Sequence, residues 1–590
     1  MMLKKYVKRS LLSIAILAVV LTTFLAFKDG DDFKIAKSLD IYYSLFRDVN
    51  IYYVDETDPQ EMVENSINSM LKELDPYTVY IPEEDMDDFT FMTTGQYGGI
   101  GALIRNNGEH PIIAQPYRGF PADKGGLKAG DKILEIDGKP TNEYKLSEVS
   151  ERLKGVPQTK LKLLIERPYS NETFEKEIVR EEIKISSVPY YGLVDDGIGY
   201  IRVSKFTPDV AREVKDALRE LKADYQITSL VLDLRGNPGG LLMEAPRLCN
   251  LFVEKGEEIV STKGKLQKWN QTLKTSESVY DADIPLVVLV SRGSASASEI
   301  VAGALQDLDR AVIVGQRTFG KGLVQTTIPL SYNSQLKVTT AKYYIPSGRC
   351  VQMLDYTNRN DDGSVGHIPD SLISEFTTKN GRKVYDGGGI IPDIKLEPED
   401  LGQLSISLIT QGVIFDYATK FAYENPTIER VEDFNITDDI YSDFVKFALE
   451  DSFKYETRSQ RELDDIEKVL KREKYYEIAK VEFESLREKL ANDKEKDLES
   501  FKSEVTQFLR DEIVGRYYYE DGQIQTNLKD DKQLDKAVEI LKDPAQYKSI
   551  LSSEFENKEQ LGMKTSMLDE TEIKQVENSI KEYFYEAATN

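Results

Sequence analysis

Three short apolar runs constrain the fold most strongly: Ser229-Leu-Val-Leu-Asp-Leu234, Pro285-Leu-Val-Val-Leu-Val290 and Ala311-Val-Ile-Val-Gly315. Each has the length of a strand and is nearly apolar throughout, without the polar alternation of a sheet that faces water on one side. Strands of that kind are buried on both faces, which requires helices above and below. Gly199–Val203 reads as a further strand, and Asp209–Lys222 as a helix. A helix over 296–308 separates the last two runs. The succession predicts an α/β core with a mixed, partly parallel sheet over residues 171–400, closed by the turn-rich segment Asp386–Ile394.

With 590 residues the chain has room for several such units, and the expected fold class is multidomain α/β. Residues 31–92 carry helical spacing (Val63, Ile67, Met70, Leu71, Leu74) and are expected to form a small N-terminal helical domain. Residues 401–590 are rich in Lys, Glu, Tyr and Phe. Their apolar residues recur at three- and four-residue steps, as at Leu486 and Leu490 and at Leu498, Phe501, Val505 and Phe508, which predicts a C-terminal helical domain with these residues in its core.

Residues 1–30 read as a signal or anchor segment. Lys4, Lys5, Lys8 and Arg9 precede an apolar run from Leu11 to Phe27. A basic start followed by an apolar stretch near the short limit for a span is an export signal, with the basic end left in the cytoplasm. No clear small-residue cleavage site follows, which favours an uncleaved anchor. The expected location is the cell envelope, inner-membrane anchored or periplasmic. The formal charge, 76 − 102 = −26, argues against nucleic acid as a partner. Cys249 and Cys350 are the only cysteines, too few for a disulfide framework or a four-thiolate zinc site. No metal or organic cofactor is expected, and self-association remains open.

Residues 93–170 change character. A glycine-rich turn, Tyr97-Gly98-Gly99-Ile100-Gly101, feeds a strand, Pro121–Leu127 reads as a short helix, and Lys132-Ile-Leu-Glu-Ile-Asp-Gly138 reads as a strand and turn. Together these segments resemble a PDZ domain. The resemblance implies that an extended C-terminal peptide adds to a sheet edge with its carboxylate held by loop N–H groups. Gly98, Gly99, Ile100 and Gly101 would form that loop, and the partner would be the C-terminal tail of a protein.

The chemistry is concentrated in 285–325. Ser296 stands at the mouth of the predicted helix, beside N–H groups and the positive dipole end, which suit an oxyanion. Ser296-Ala-Ser-Glu299 also fits a capping box, in which the serine merely caps the helix. Lys321 lies between Gly320 and Gly322. As a base it must be neutral, yet only about one free lysine in 2,500 is neutral at pH 7. Burial lowers a lysine pKa by several units, and a shift of roughly 3 units corresponds to about 4 kcal/mol. Gln325, four residues on, could hold the amine by a hydrogen bond. Asp233-Leu-Arg-Gly-Asn-Pro-Gly-Gly240 ends an apolar strand in a flexible turn whose N–H groups could point into a cleft. With only His110 and His367 in the chain, a serine–lysine pair is a better reading than a serine–histidine–aspartate triad.

These pieces together, with Gly-Ser-Ala-Ser-Ala-Ser-Glu-Ile (293–300) and Thr-Phe-Gly-Lys-Gly-Leu-Val-Gln (318–325), resemble the C-terminal processing peptidases, or tail-specific proteases, over about residues 60–400. The resemblance implies a serine endopeptidase with Ser296 as nucleophile, Lys321 as general base, Gln325 orienting the lysine, and an oxyanion hole from the N–H groups of Gly236 and Ala297. The alternative is a non-catalytic PDZ adaptor of the envelope that keeps the fold and only binds tails.

Overall fold

The computed structural model describes residues 30–170, 172–359, 364–397, 401–450, 453–490 and 493–555. The basic and apolar residues of the expected signal or anchor segment lie outside the described residues. Among the described residues no helix is long and apolar enough to cross a membrane.

The chain divides into two units, residues 1–74 and 75–590. In the first, α1 (Gly30–Tyr52) is followed by α2 (Pro59–Lys72). Asp58 caps α2 by accepting from the N–H groups of Gln60 and Glu61, and Pro59 fits the first helical position, where no N–H is needed. Of the predicted apolar face, Leu71 is buried, Val63 and Ile67 are half-buried, and Met70 and Leu74 are exposed.

The second unit begins earlier than the sequence suggested. The strand β1 (Val79–Ile81) pairs with a strand more than 250 residues away, so residues 75–92 belong with the larger unit. After α3 (Met86–Thr94) come β2 (Gln96–Gly99), β3 (Ala102–Asn106), β4 (Pro111–Pro116), the short helix α4 (Pro121–Lys124), β5 (Lys132–Ile136), α5 (Leu146–Leu153), β6 (Lys160–Arg167), β7 (Glu172–Val179) and β8 (Glu181–Lys184). Strands β3-β4-β5-β6-β7 form an antiparallel sheet in that order, and β2 pairs with β8. Val149 and Leu153 of α5 enter a core with Ile113, Ile133, Leu161, Leu163 and Ile165.

The core follows as β9 (Tyr190–Asp195), β10 (Ile198–Arg202), α6 (Val210–Tyr225), β11 (Ser229–Asp233), α7 (Glu244–Cys249), β12 (Glu258–Gly264), β13 (Gln271–Lys274), β14 (Leu286–Val290), α8 (Ala297–Asp307), β15 (Val312–Gly315), β16 (Leu323–Pro329), β17 (Gln335–Tyr344) and β18 (Ile394–Lys395). The main sheet has the order β9-β10-β11-β14-β15-β18, antiparallel only between β9 and β10. Successive residues face opposite sides: Leu286, Val288 and Val290 pack beneath α6, α7 and α8, while Val287 and Leu289 face the other way. A second sheet runs β1-β17-β12-β13, with β16 also on β17. Cys249 is buried and Cys350 half-buried, and both are free thiols.

The described residues from 401 onward are helical: α9 (Gln403–Thr410), α10 (Val413–Glu424), α11 (Asp438–Glu450), α12 (Arg458–Glu473), α13 (Tyr476–Lys489), α14 (Lys494–Ser500), α15 (Lys502–Asn527), α16 (Lys532–Lys542) and α17 (Pro544–Ile550). Leu498 and Val505 are fully buried, and Phe501 and Phe508 pack against the same cluster. Leu486 and Leu490 differ from expectation and are largely exposed. Helical spacing identifies an apolar stripe without identifying what covers it. Leu534, Ala537, Ile540 and Leu541 of α16 cover the second face of the main sheet, against Val231, Val287, Leu289, Val312 and Val314.

Candidate active site

Helix α8 is buried along its whole length, and its start is bent sharply. Ser296 has φ 56° and ψ −114°. Ser298 N–H donates to Ala295 O at 3.1 Å, so Ser296 is the second residue of a tight strand-to-helix turn. A β-carbon in that conformation costs roughly 1–3 kcal/mol, and such strain concentrates where a side chain must be presented. A serine that merely caps a helix stands in the extended region, which Ser296 does not.

The carboxylate of Glu299 organises the site. It is fully buried, and it accepts four hydrogen bonds. Oε1 takes the Thr318 hydroxyl at 2.6 Å and Gly320 N–H at 2.7 Å. Oε2 takes Ser296 N–H and Lys321 N–H, each at 2.9 Å. A single oxygen atom thereby ties the backbone of the candidate nucleophile to that of the candidate base. Burial pushes the Glu299 pKa up, and the four donors oppose it. In the sequence Glu299 reads only as a capping residue. The available signal was an acid within Ala297-Ser-Glu-Ile-Val-Ala-Gly-Ala-Leu305, a run otherwise of small and apolar residues, where a buried charge requires partners.

Lys321 keeps some exposed surface as a residue, but its amine is enclosed by protein. It lies 4.3 Å from the centre of the Tyr77 ring. Desolvation, and then repulsion from Lys337, push its pKa down to about 7, against the pull of Glu299 and Asp75. Tyr77 is held there by Asp75, whose carboxylate accepts from Tyr77 N–H at 2.9 Å and Thr78 N–H at 2.8 Å, and by the pairing of β1 with β17. Neither Tyr77 nor Lys337 was singled out from sequence. Gln325 lies on β16 next to a bulge, and its amide donates to Thr339 Oγ1 at 3.1 Å. The Thr339 N–H in turn donates to Thr78 Oγ1 at 3.2 Å, linking Gln325 to the turn that carries Tyr77.

The loop after β11 packs directly on the serine turn. Ala295 N–H and the Ser298 hydroxyl both donate to Asn237 O, at 3.0 and 2.9 Å. Gly239 has φ +97°, and a β-carbon there would stand 2.8 Å from Ser296 Cβ and 2.9 Å from Ala297 N. Ala297 is the first residue of α8, so its N–H has no partner within the helix. Gly236 N–H donates to Ser291 Oγ at 3.0 Å. Arg235 grips Asp233 through Nε at 3.0 Å and Nη2 at 2.6 Å, and Asp233, fully buried, also accepts from Tyr200 OH at 2.6 Å.

In the expected peptide-binding loop, Gly101 requires its positive φ of +71°, and a β-carbon would come within 2.5 Å of Phe120 Cβ. Gly98 allows a close approach of its backbone to Gly155 O, Gly99 pairs with Glu181, and Ile100 is buried in the core. A small apolar pocket of about 60 Å³ adjoins the loop, lined by Phe91, Ile100, Leu103, Tyr117 and Leu153 among others.

Comparison with known proteins agrees with this layout. Residues 197–357 match peptidase family S41, residues 112–167 match the PDZ domain, and residues 404–541 match the C-terminal helical domain of probable PDZ-proteases. The carboxy-terminal-processing protease of Bartonella bacilliformis is 40% identical over 326 residues, covering 54% of this chain and 74% of that protein. The probable CtpA-like serine protease of Staphylococcus aureus is 35% identical over 314 residues, covering 52% of this chain and 61% of that protein. The solved photosystem II D1 C-terminal processing protease is 26% identical with a TM-score of 0.33, covering 61% of this chain and 93% of that one. The chain belongs to the carboxy-terminal-processing proteases of peptidase family S41, serine-type peptidases, and carries a PDZ domain.

Proposed function

We propose that this protein is an envelope endopeptidase that captures the C-terminal tails of exported proteins on its PDZ domain and cleaves them with Ser296 and Lys321. The observation that carries the reading is the shared acceptor Glu299 Oε2, which binds the backbone of both residues. The strained turn at Ser296 and the enclosed amine of Lys321 support the same roles. With a pKa of about 7, half of the Lys321 amines are neutral at pH 7, against about one in 2,500 for a free lysine.

In the reaction the Lys321 amine takes the proton of Ser296 Oγ as oxygen bonds to the substrate carbonyl carbon. The negative charge that forms on the carbonyl oxygen is stabilised by Ala297 N–H and the dipole of α8. Gly236 N–H would join it by exchanging the Ser291 hydroxyl for a more strongly charged acceptor. The lysine ammonium then gives its proton to the leaving amine as the carbon–nitrogen bond breaks, leaving an ester on Ser296. Water attacks that ester, Lys321 accepts its proton, and Ser296 recovers a proton when the acid product leaves. Gln325 serves as a positioning residue through Thr339 and Thr78. No metal or organic cofactor enters these steps.

Tail capture is assigned to the loop 98–101 and the adjoining apolar pocket, with the substrate carboxylate on the loop and an apolar side chain in the pocket. Location in the envelope, with an N-terminal anchor, rests on the basic and apolar pattern of residues 4–27. The test is cleavage of one unfolded protein with and without an apolar C-terminal tail. Wild type should cleave the tailed form faster, and Ser296→Ala should cleave neither while still binding the tail. Equal cleavage by Ser296→Ala would remove the assignment.

A further inference from the structure

We propose that Asp531, on the C-terminal helical segment, is a positioning residue for the catalytic loop 235–240. Arg235 Nη1 donates to Asp531 Oδ1 at 2.9 Å, and Nη2 lies 2.6 Å from Oδ2. The other edge of the same guanidinium is on Asp233. A planar cation gripped on two edges by two carboxylates has little freedom to rotate or swing. Both ends of the Arg235–Asp531 pair are largely buried, with side-chain exposures of 17% and 13%. Arg202 also reaches the Asp233 carboxylate, at 3.4 Å.

The position of Asp531 is itself fixed. It caps α16 by accepting from Gln533 N–H and Leu534 N–H, both at 3.0 Å. The helix it caps is anchored on the main sheet by Leu534, Ala537, Ile540 and Leu541. The residue after Arg235 is Gly236, and three residues later the Gly239 backbone lies against Ser296 and Ala297. A helix some 300 residues away in sequence therefore sets the placement of the loop beside the nucleophile. This gives the C-terminal helices a part in catalysis through Arg235.

The inference rests on the Ser296 reading, and the two are separable: Ser296→Ala tests the nucleophile, whereas Asp531 variants test what positions the loop. Asp531→Asn keeps a residue that caps helices as well as aspartate but removes the charge facing Arg235. With dye-labelled unfolded casein bearing an apolar C-terminal tail, kcat should fall ~10-fold or more, the loss of one charged hydrogen-bond pair. KM should stay within ~2-fold, and Tm should fall by several degrees, as expected for a broken buried pair, while the protein stays folded at the assay temperature. Asp543→Asn is the control, because Asp543 caps α17 in the same way, accepting from Ala545 N–H and Gln546 N–H at 3.0 Å. It should leave kcat unchanged. In an Arg235→Gln background, Asp531→Asn should cost nothing further, since the residue acts through Arg235. Asp531→Ser supplies a second capping replacement. Wild-type kcat in folded Asp531→Asn or Asp531→Ser would overturn the proposal. An equal loss in Asp543→Asn, or a full additional loss in the Arg235→Gln background, would overturn it as well.

Discussion

Replacing Glu299 by glutamine separates geometry from electrostatics at this site. The carboxylate accepts two hydrogen bonds on each oxygen: Thr318 and Gly320 on Oε1, Ser296 and Lys321 on Oε2. An amide keeps one acceptor and turns the other into a donor. Whichever way it lies, two protein donors lose their acceptor and meet an NH2 group. Hydrogen bonds to a charged group contribute about 1.5–3 kcal/mol each, so the local loss is roughly 3–6 kcal/mol before relaxation. Removing a fully buried charge offsets part of this, and a net destabilisation of about 3 kcal/mol is expected. The turn at Ser296 and the turn at Lys321 then drift apart, and a misplacement of about 1 Å costs on the order of 10²-fold in rate. The plateau of kcat/KM should therefore drop about 100-fold. The acid limb should move the other way: the Glu299 charge raises the Lys321 pKa, so its removal shifts the limb below 7. Profiles of kcat/KM from pH 5 to 9 for wild type and Glu299→Gln read both effects. A wild-type plateau, or a limb displaced to higher pH, would refute the reasoning.

Lys321→Met should abolish cleavage and remove a pH-dependent stability cost. The folded pKa of about 7 lies below that of a free lysine, so between pH 7 and about 10.4 the unfolded chain holds the extra proton and wild-type stability rises with pH, by about 4 kcal/mol. The Tm advantage of Lys321→Met over wild type should thus be larger at pH 7 than at pH 9, by the equivalent of about 2 kcal/mol. Gly239→Ala places a methyl group 2.8 Å from both Ala295 O and Ser296 Cβ in a backbone with φ +97°. It should lower kcat by about 100-fold while tail affinity, read by fluorescence anisotropy, is unchanged. Gly101→Ala puts its methyl 2.5 Å from Phe120 Cβ with φ +71°, and should weaken tail binding more than about 10-fold while turnover of a small tail-less ester persists.

The parts of this protein that were legible in its sequence are those encoded locally. Continuous apolar runs marked the doubly buried strands, and the Ser296 and Lys321 motifs stood within short segments. The remainder depends on contacts between distant residues. Tyr77 reaches Lys321 only because Val79–Ile81 pairs with β17. Arg235 meets Asp531 only because α16 covers the second face of the main sheet. Leu486 and Leu490 have helical spacing but belong to the α12–α13 pair, where Arg487 is tied to Asp464 and Glu467 and the apolar residues remain exposed. Glu299 was visible as a cap, and only the fold brings Thr318, Gly320 and Lys321 to its second oxygen and its remaining lone pairs.

The central claim is that Ser296 is acylated with a neutral Lys321 as its base. The pre-steady-state burst of an activated ester, followed as a function of pH in wild type and Ser296→Ala, tests it most directly. The account predicts a stoichiometric burst in wild type whose rate falls about tenfold per pH unit below an apparent pKa of about 7, and no burst in Ser296→Ala. A burst that survives in Ser296→Ala, or one whose rate titrates near the ordinary lysine value, would contradict it.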